Sequence, residues 1–107
     1  MVTTHVLDTS RGGPARNVMV VLEQALGDPP VLATGLTDTD GRVDDLGPNA
    51  LDTGTYRLRF NTGGYFGETG TPTFYPEVVI SFEVTGDQHY HVPLLLSPFG
   101  YSTYRGS

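Results

Sequence analysis

Three histidines and one arginine carry most of the reactive potential of this chain: His5, His89, His91 and Arg42. His89 and His91 stand two apart in a segment that reads as a strand, so their side chains leave the same face. A neutral imidazole can take a proton from water near neutral pH, and a guanidinium can stabilise negative charge growing on an oxygen. His5, His91 and Arg42 supply those roles for a hydrolytic site that needs no metal. The same imidazoles allow a second chemistry, because His-x-His is a common pair of zinc ligands and His5 offers a third. Spacing does not fix the geometry zinc requires, and on residue types alone histidines bonded to backbone or water are the simpler reading.

Other chemistries fit the sequence less well. Gly-x-Ser-x-Gly and cysteine are absent, and Ser97 and Ser102 fall in a turn and an edge segment, so no nucleophile motif competes. The aspartates at 38, 40, 44 and 45 suggest a calcium loop, but the register fails. With Gly41 at the sixth position, Leu36 takes the first and Gly47 the twelfth, where carboxylates are required. A solvated Asp-Gly turn between strands explains the aspartates, though it leaves Arg42 unexplained. Gly12-Gly13 and Gly63-Gly64 lack the spacing of a phosphate or dinucleotide loop and read as turns.

The elements that must hold these residues are short strands. Thr3 to Leu7 is followed by the turn Arg11-Gly12-Gly13-Pro14, then Val18 to Gln24, then Val31 to Thr37 after Pro29-Pro30. Tyr56, Leu58 and Phe60 alternate with Arg57 and Arg59, the period of a strand with one buried and one wet face. Val78, Ile80, Phe82 and Val84 repeat the pattern. His89 to Leu96, the turn Ser97-Pro98-Phe99-Gly100 and Tyr101 to Arg105 read as a hairpin at the end of the chain. A short helix around Tyr65 and Phe66 is expected, against the low helix propensity of the four glycines in Asn61 to Gly70. The spacing is that of an all-β sandwich.

Bulk properties set bounds on partners. A chain of 107 residues suits a single domain, residues 1–107, with one core. The formal charge is −6, and the six basic residues are scattered arginines, Arg11, Arg16, Arg42, Arg57, Arg59 and Arg105. Without a basic stripe, nucleic acid and anionic membrane surfaces are poor partners, and a small molecule or another protein suits the chain better. No apolar run reaches membrane-spanning length and the first ten residues carry no basic, apolar leader, so a cytoplasmic location is expected. The absence of cysteine leaves the redox compartment undetermined.

Three segments go beyond composition: Thr4-His5-Val6-Leu7-Asp8 with Gly13-Pro14-Ala15, Thr37-Asp38-Thr39-Asp40-Gly41-Arg42, and the run from His89 to the terminal Tyr104-Arg105-Gly106-Ser107. Together with Phe74-Tyr75-Pro76-Glu77 they resemble the 5-hydroxyisourate hydrolases of the transthyretin-like family, over essentially the whole chain. The resemblance implies a transthyretin-like β-sandwich of two four-stranded antiparallel sheets with one short helix, assembled as a homotetramer, a dimer of dimers with sites in the channel between them. It implies metal-free hydrolytic ring opening of 5-hydroxyisourate in urate degradation, with no cofactor. His5, Arg42 and His91 match catalytic positions. Tyr104 matches a substrate-binding one, Arg105 lies in the same terminal motif, and Ser107 brings a carboxylate close. The alternative is a non-enzymatic transthyretin-like carrier of an aromatic ligand, which is expected to lack the joint presence of these residues.

Overall fold

The computed structural model describes residues 1–27, 30–86 and 88–107, so the turn expected at Pro29-Pro30 lies partly outside the described residues. Two sheets face each other. One contains β1 (Val2–Asp8), β2 (Gly13–Pro14), β5 (Arg42–Leu46), β8 (Tyr90–Ser97) and β9 (Gly100–Thr103). The other has the order β4 (Val31–Leu36), β3 (Met19–Gln24), β6 (Gly54–Phe60), β7 (Val78–Val84). The helix α1 (Thr62–Gly67) connects β6 to β7.

The sandwich is the expected one, with two refinements. The two-residue β2 pairs the Leu7–Asp8 end of β1 while β5 pairs its Val2–His5 end, so both lie along one edge and that sheet counts five strands. The pairs are antiparallel except for β1 with β8, which run parallel from Val2↔Tyr90 to Asp8↔Leu96. Parallel neighbours need a long crossover, and here almost the whole chain separates the two strands.

Period-two patterning decides which residues meet in the core. Tyr56, Leu58 and Phe60 on β6 and Val78, Ile80 and Val84 on β7 are buried, with Phe82 half-buried. Arg57 and Arg59 point outward, where both approach Glu23 and Arg59 also pairs with Glu77. From the first sheet, Val2 and Val6 of β1 and Tyr90, Val92, Leu94 and Leu96 of β8 enter the same core. Alternation therefore turns Thr3, His5 and Leu7, and beside them His91, Pro93 and Leu95, to the outer face.

Local breakers end the elements where the chain must change course. The helix forms despite its glycines because the Asn61 side chain accepts a hydrogen bond from Gly64 N (3.0 Å) and Phe66 is buried. Gly63 packs so closely that a Cβ there would stand 2.8 Å from the Pro76 carbonyl oxygen. The hairpin expected to run to Arg105 stops at Thr103. Continuing the register would place Tyr104 opposite Pro93, which has no N–H to offer the ladder. Pairing returns only as the bridge His91↔Gly106.

Between β2 and β5 the edge of β1 is held by Val6, whose N–H donates to Gly41 O (2.7 Å) and whose carbonyl accepts from Ala15 N (2.9 Å). Gly41 has φ +75°, and a Cβ on it would collide with the Val6 carbonyl oxygen. Gly41→Ala therefore combines left-handed strain of about 1–2 kcal/mol with a backbone clash. The expected loss is at least about 2 kcal/mol, read as a melting-temperature drop of roughly 8 °C or more at fixed protein concentration. A melting temperature within a degree of wild type would remove this role from Gly41.

Candidate active site

Arg42 is placed by a turn built on Asp38. The Asp38 carboxylate accepts the backbone N–H groups of Asp40 (2.9 Å) and Arg42 (3.0 Å), and its carbonyl accepts that of Gly41 (2.9 Å). Those hydrogen bonds, the Arg42 N–H foremost, outweigh desolvation and hold the Asp38 carboxyl below the ordinary range, with Arg42 and His5 adding positive charge. The aspartate-rich stretch is thus the expected solvated turn, and its product is the position of Arg42 as first residue of β5, opposite His5 on β1.

Directly opposed residues on paired strands have Cβ atoms about 5 Å apart, so Arg42 and His5 are side-chain neighbours. On the other flank of β1, His91 stands opposite Thr3, two positions from His5 on the same face. Strand spacing and rise put His5 and His91 about 8 Å apart along that diagonal. The fold therefore gathers His5, Arg42 and His91, which are remote in sequence, onto one outer face of three adjacent strands. Arg42 is exposed and makes no ion pair among the described residues, unlike Arg57 and Arg59. It is left available to a ligand.

His91 is held on two sides. Its Nδ1 lies 2.7 Å from Thr3 Oγ1, which also lies 2.8 Å from His89 Nε2. On the other side Gly106 N donates to the His91 carbonyl (2.9 Å), and Gly106 lies so close that a Cβ would strike His91 Cδ2. Burial pushes the His91 pKa below its ordinary value, and the charges of Arg42, His89 and His5 push the same way, against a smaller opposing effect of Asp44. Burial and charge thus favour the neutral imidazole, the form in which a histidine accepts a proton.

The terminal motif lies along a cleft. Tyr104 and Arg105, both exposed, border with His91 a cleft of about 280 Å³ whose walls include Ile80, Phe82 and Tyr90. Arg105 is held there by its neighbours. Its guanidinium lies over the Tyr90 ring at 5.2 Å and donates to Gln88 (2.8 Å), and Tyr90 belongs to the core side of β8. Gly106 carries the chain back to His91, with the exposed Ser107 following it. Thr3 was not singled out by sequence reasoning, although it shares a face with His5 by the period of two. Its partnership with His91 depends on the β1–β8 register. Likewise Pro93 is the signal, visible in the sequence, that β9 must end before Tyr104. The zinc possibility for His5, His89 and His91 has a different geometry here: His89 and His91 both turn a ring nitrogen to Thr3, and no metal-binding cluster of three acidic or histidine side chains forms among the described residues.

Residues 2–106 match the family model described as the HIUase/Transthyretin family. The chain belongs to this family. The 5-hydroxyisourate hydrolase of Salmonella typhimurium is 48% identical over 110 residues, covering all of this chain and 81% of that protein. The solved 5-hydroxyisourate hydrolase of Klebsiella pneumoniae superposes with a TM-score of 0.90 at 36% identity, covering 99% of this chain and 98% of its own. Sea bream transthyretin in complex with thyroxine also reaches 0.90, at 32% identity over 98% of this chain and 93% of its own. The sandwich of the HIUase/Transthyretin family thus serves proteins of different names equally well, and the side chains on its outer face must distinguish them.

Two measurements check the site's construction. In an NMR pH titration the His91 ring should titrate below the ordinary value near 6.5. Because the folded pKa is depressed, the unfolded chain binds this proton more readily, and stability from this group is lost as pH falls below about 6.5. A midpoint at or above 6.5 would contradict the burial and charge described. Separately, Gly106→Ala should change the His91 ring shifts while costing less than about 1 kcal/mol of stability, since the tail is outside the core. Unchanged ring shifts would show that the tail does not abut His91.

Proposed function

We propose that the protein is a 5-hydroxyisourate hydrolase that opens the six-membered ring of its substrate without a metal, giving 2-oxo-4-hydroxy-4-carboxy-5-ureidoimidazoline in urate degradation. The observation that carries this reading is the meeting of a partly buried His91, its pKa lowered, with His5 and an Arg42 that has no ion pair among the described residues, on one face. The names of the relatives agree with it. In this scheme His91 Nε2 takes a proton from water as the water oxygen attacks the ring carbonyl. Arg42 donates to the carbonyl oxygen and stabilises the oxyanion. When the tetrahedral intermediate collapses, the C–N bond breaks and the His91 imidazolium returns its proton to the leaving nitrogen. His5 orients water or substrate, and Tyr104 contacts the ring from the margin.

A carrier of the transthyretin type would need the shape of the sandwich but not this combination of proton acceptor and exposed cation. The hydrolase reading accounts for both. It also accounts for the position of the face. The cleft of about 280 Å³ includes His91 but neither His5 nor Arg42, which stand on an open sheet surface. We propose that a homotetramer, a dimer of dimers, closes that surface, with other copies of the chain walling the site and covering the edges β7 and β9, which have no strand beyond them in these sheets.

The test generates 5-hydroxyisourate in place from urate with a uricase and follows its ultraviolet decay. Wild-type protein should accelerate the decay, and Arg42→Ala or His91→Ala should each reduce turnover by about 10² or more while the oligomer and fold persist. An unchanged decay with wild-type protein would falsify the activity; alanine variants within a few-fold of wild type would remove those residues from the mechanism. Light scattering should give four chain masses, and a monomer with full activity would overturn the assembly.

A further inference from the structure

Thr3 hydrogen-bonds two of the three histidines. It is 6% exposed, its Oγ1 lies 2.7 Å from His91 Nδ1 and 2.8 Å from His89 Nε2, and its Cα pairs with that of His91 across the parallel ladder. A β-branched side chain on a strand has few χ1 options, so the hydroxyl oxygen is fixed between the rings. A hydroxyl carries one proton and two acceptor lone pairs. It donates to at most one of the two nitrogens, and the other contact requires an N–H from the ring. The two tautomers are therefore coupled through Thr3.

Two orders complete both hydrogen bonds with the hydroxyl proton used between them. In the first, His91 Nδ1–H donates to Thr3 and the Thr3 hydroxyl donates to His89 Nε2, leaving His91 Nε2 as a bare lone pair. In the second, His89 Nε2–H donates to Thr3, the hydroxyl donates to His91 Nδ1, and His91 Nε2 carries a hydrogen. The guanidinium of Arg42 on the same outer face favours a lone pair over an N–H on that face. The first order also survives the reaction: an imidazolium has hydrogens on both nitrogens, so Nδ1 must donate to Thr3 after proton uptake, and no hydroxyl turns during the step. His89 is exposed and its other ring nitrogen can meet water, so it can accept from Thr3.

We propose that Thr3 is a positioning residue that, backed by His89, holds His91 in the Nδ1–H tautomer and so keeps Nε2 bare for the attacking water. This rests on the reading of His91 as the base. It gives His89 a role as the acceptor that orients the Thr3 hydroxyl, outside direct contact with substrate.

The experiment uses the full chain with nitrogen-15 histidine and reads each ring's tautomer by long-range proton–nitrogen correlation without substrate, beside kcat and KM in the uricase-coupled assay. Wild type should show His91 protonated at Nδ1 and bare at Nε2. Thr3→Val, nearly isosteric, should release that preference and lower kcat about tenfold or more with KM within a few-fold, as expected for loss of a correctly presented base. Thr3→Ser should restore both readouts, and His89→Ala, at an exposed position, should weaken the tautomer preference with a smaller fall in kcat. A wild-type His91 protonated at Nε2, or a preference unmoved in both Thr3→Val and His89→Ala, overturns the proposal. If Thr3→Val does not fold, Thr3→Ser and His89→Ala still decide it. Failure of the base assignment is distinguishable, because His91→Ala would then remain active whatever the tautomer proves to be.

Discussion

The parallel ladder between β1 and β8 is the constraint on which the rest of the molecule depends. It ties the first strand to one of the last, over Val2–Asp8 and Tyr90–Leu96, and both strands contribute alternate residues to the core. In such strands a slip of one residue exchanges the faces. Either Val2 and Val6 or Val92 and Leu94 would turn outward, and His5 or His91 with its strand would be driven into an apolar interior without partners. The energy that protects the reactive face is thus mostly the burial of the opposite one. The aliphatic residues on the other face thus exclude a one-residue slip, and in the register formed Thr3 stands opposite His91.

On that frame, short polar devices set individual side chains. Asp38 uses its carboxylate to close a turn, and the turn starts β5 with Arg42 beside His5. Pro93 interrupts the β8–β9 ladder, and the tail returns to it at His91 through Gly106, where a Cβ would press on the His91 ring. Arginines on the two sheets are treated differently. Arg57 and Arg59 are neutralised around Glu23 and Glu77, whereas Arg42 is left without an ion pair among the described residues. A chain of net charge −6 therefore presents a local positive group beside its histidines. That local balance suits a ligand rich in carbonyl oxygens better than the overall charge suggests.

The equal superposition on a hydrolase and on transthyretin separates architecture from chemistry. Two facing sheets with an aliphatic core leave the outer face free to vary, because outer residues contribute little to core packing. In this chain that face carries the imidazoles of His5 and His91, the guanidinium of Arg42 and the Thr3 hydroxyl, whose hydrogen bonds couple the His91 ring to that of His89.

Much of this was legible in the sequence because it is local. Period-two alternation marked Tyr56 to Phe60 and Val78 to Val84 as strands, Asp-Gly marked the turn before Arg42, and the motifs around His5, Arg42 and His91 pointed to one family. Alternation also fixed that His5 shares a face with Thr3, since that depends only on strand geometry. What the tertiary structure decided is non-local: the parallel direction of β1 against β8, the placing of β2 and β5 along one edge, the stacking of Arg105 on Tyr90, and the convergence of His91, His89 and Thr3. Strand pairing over almost ninety positions is set by how two sheets bury their apolar faces together, and no segment carries that information alone. The residue types that can move a proton are written in the chain; the register that orients them exists only once the core has closed.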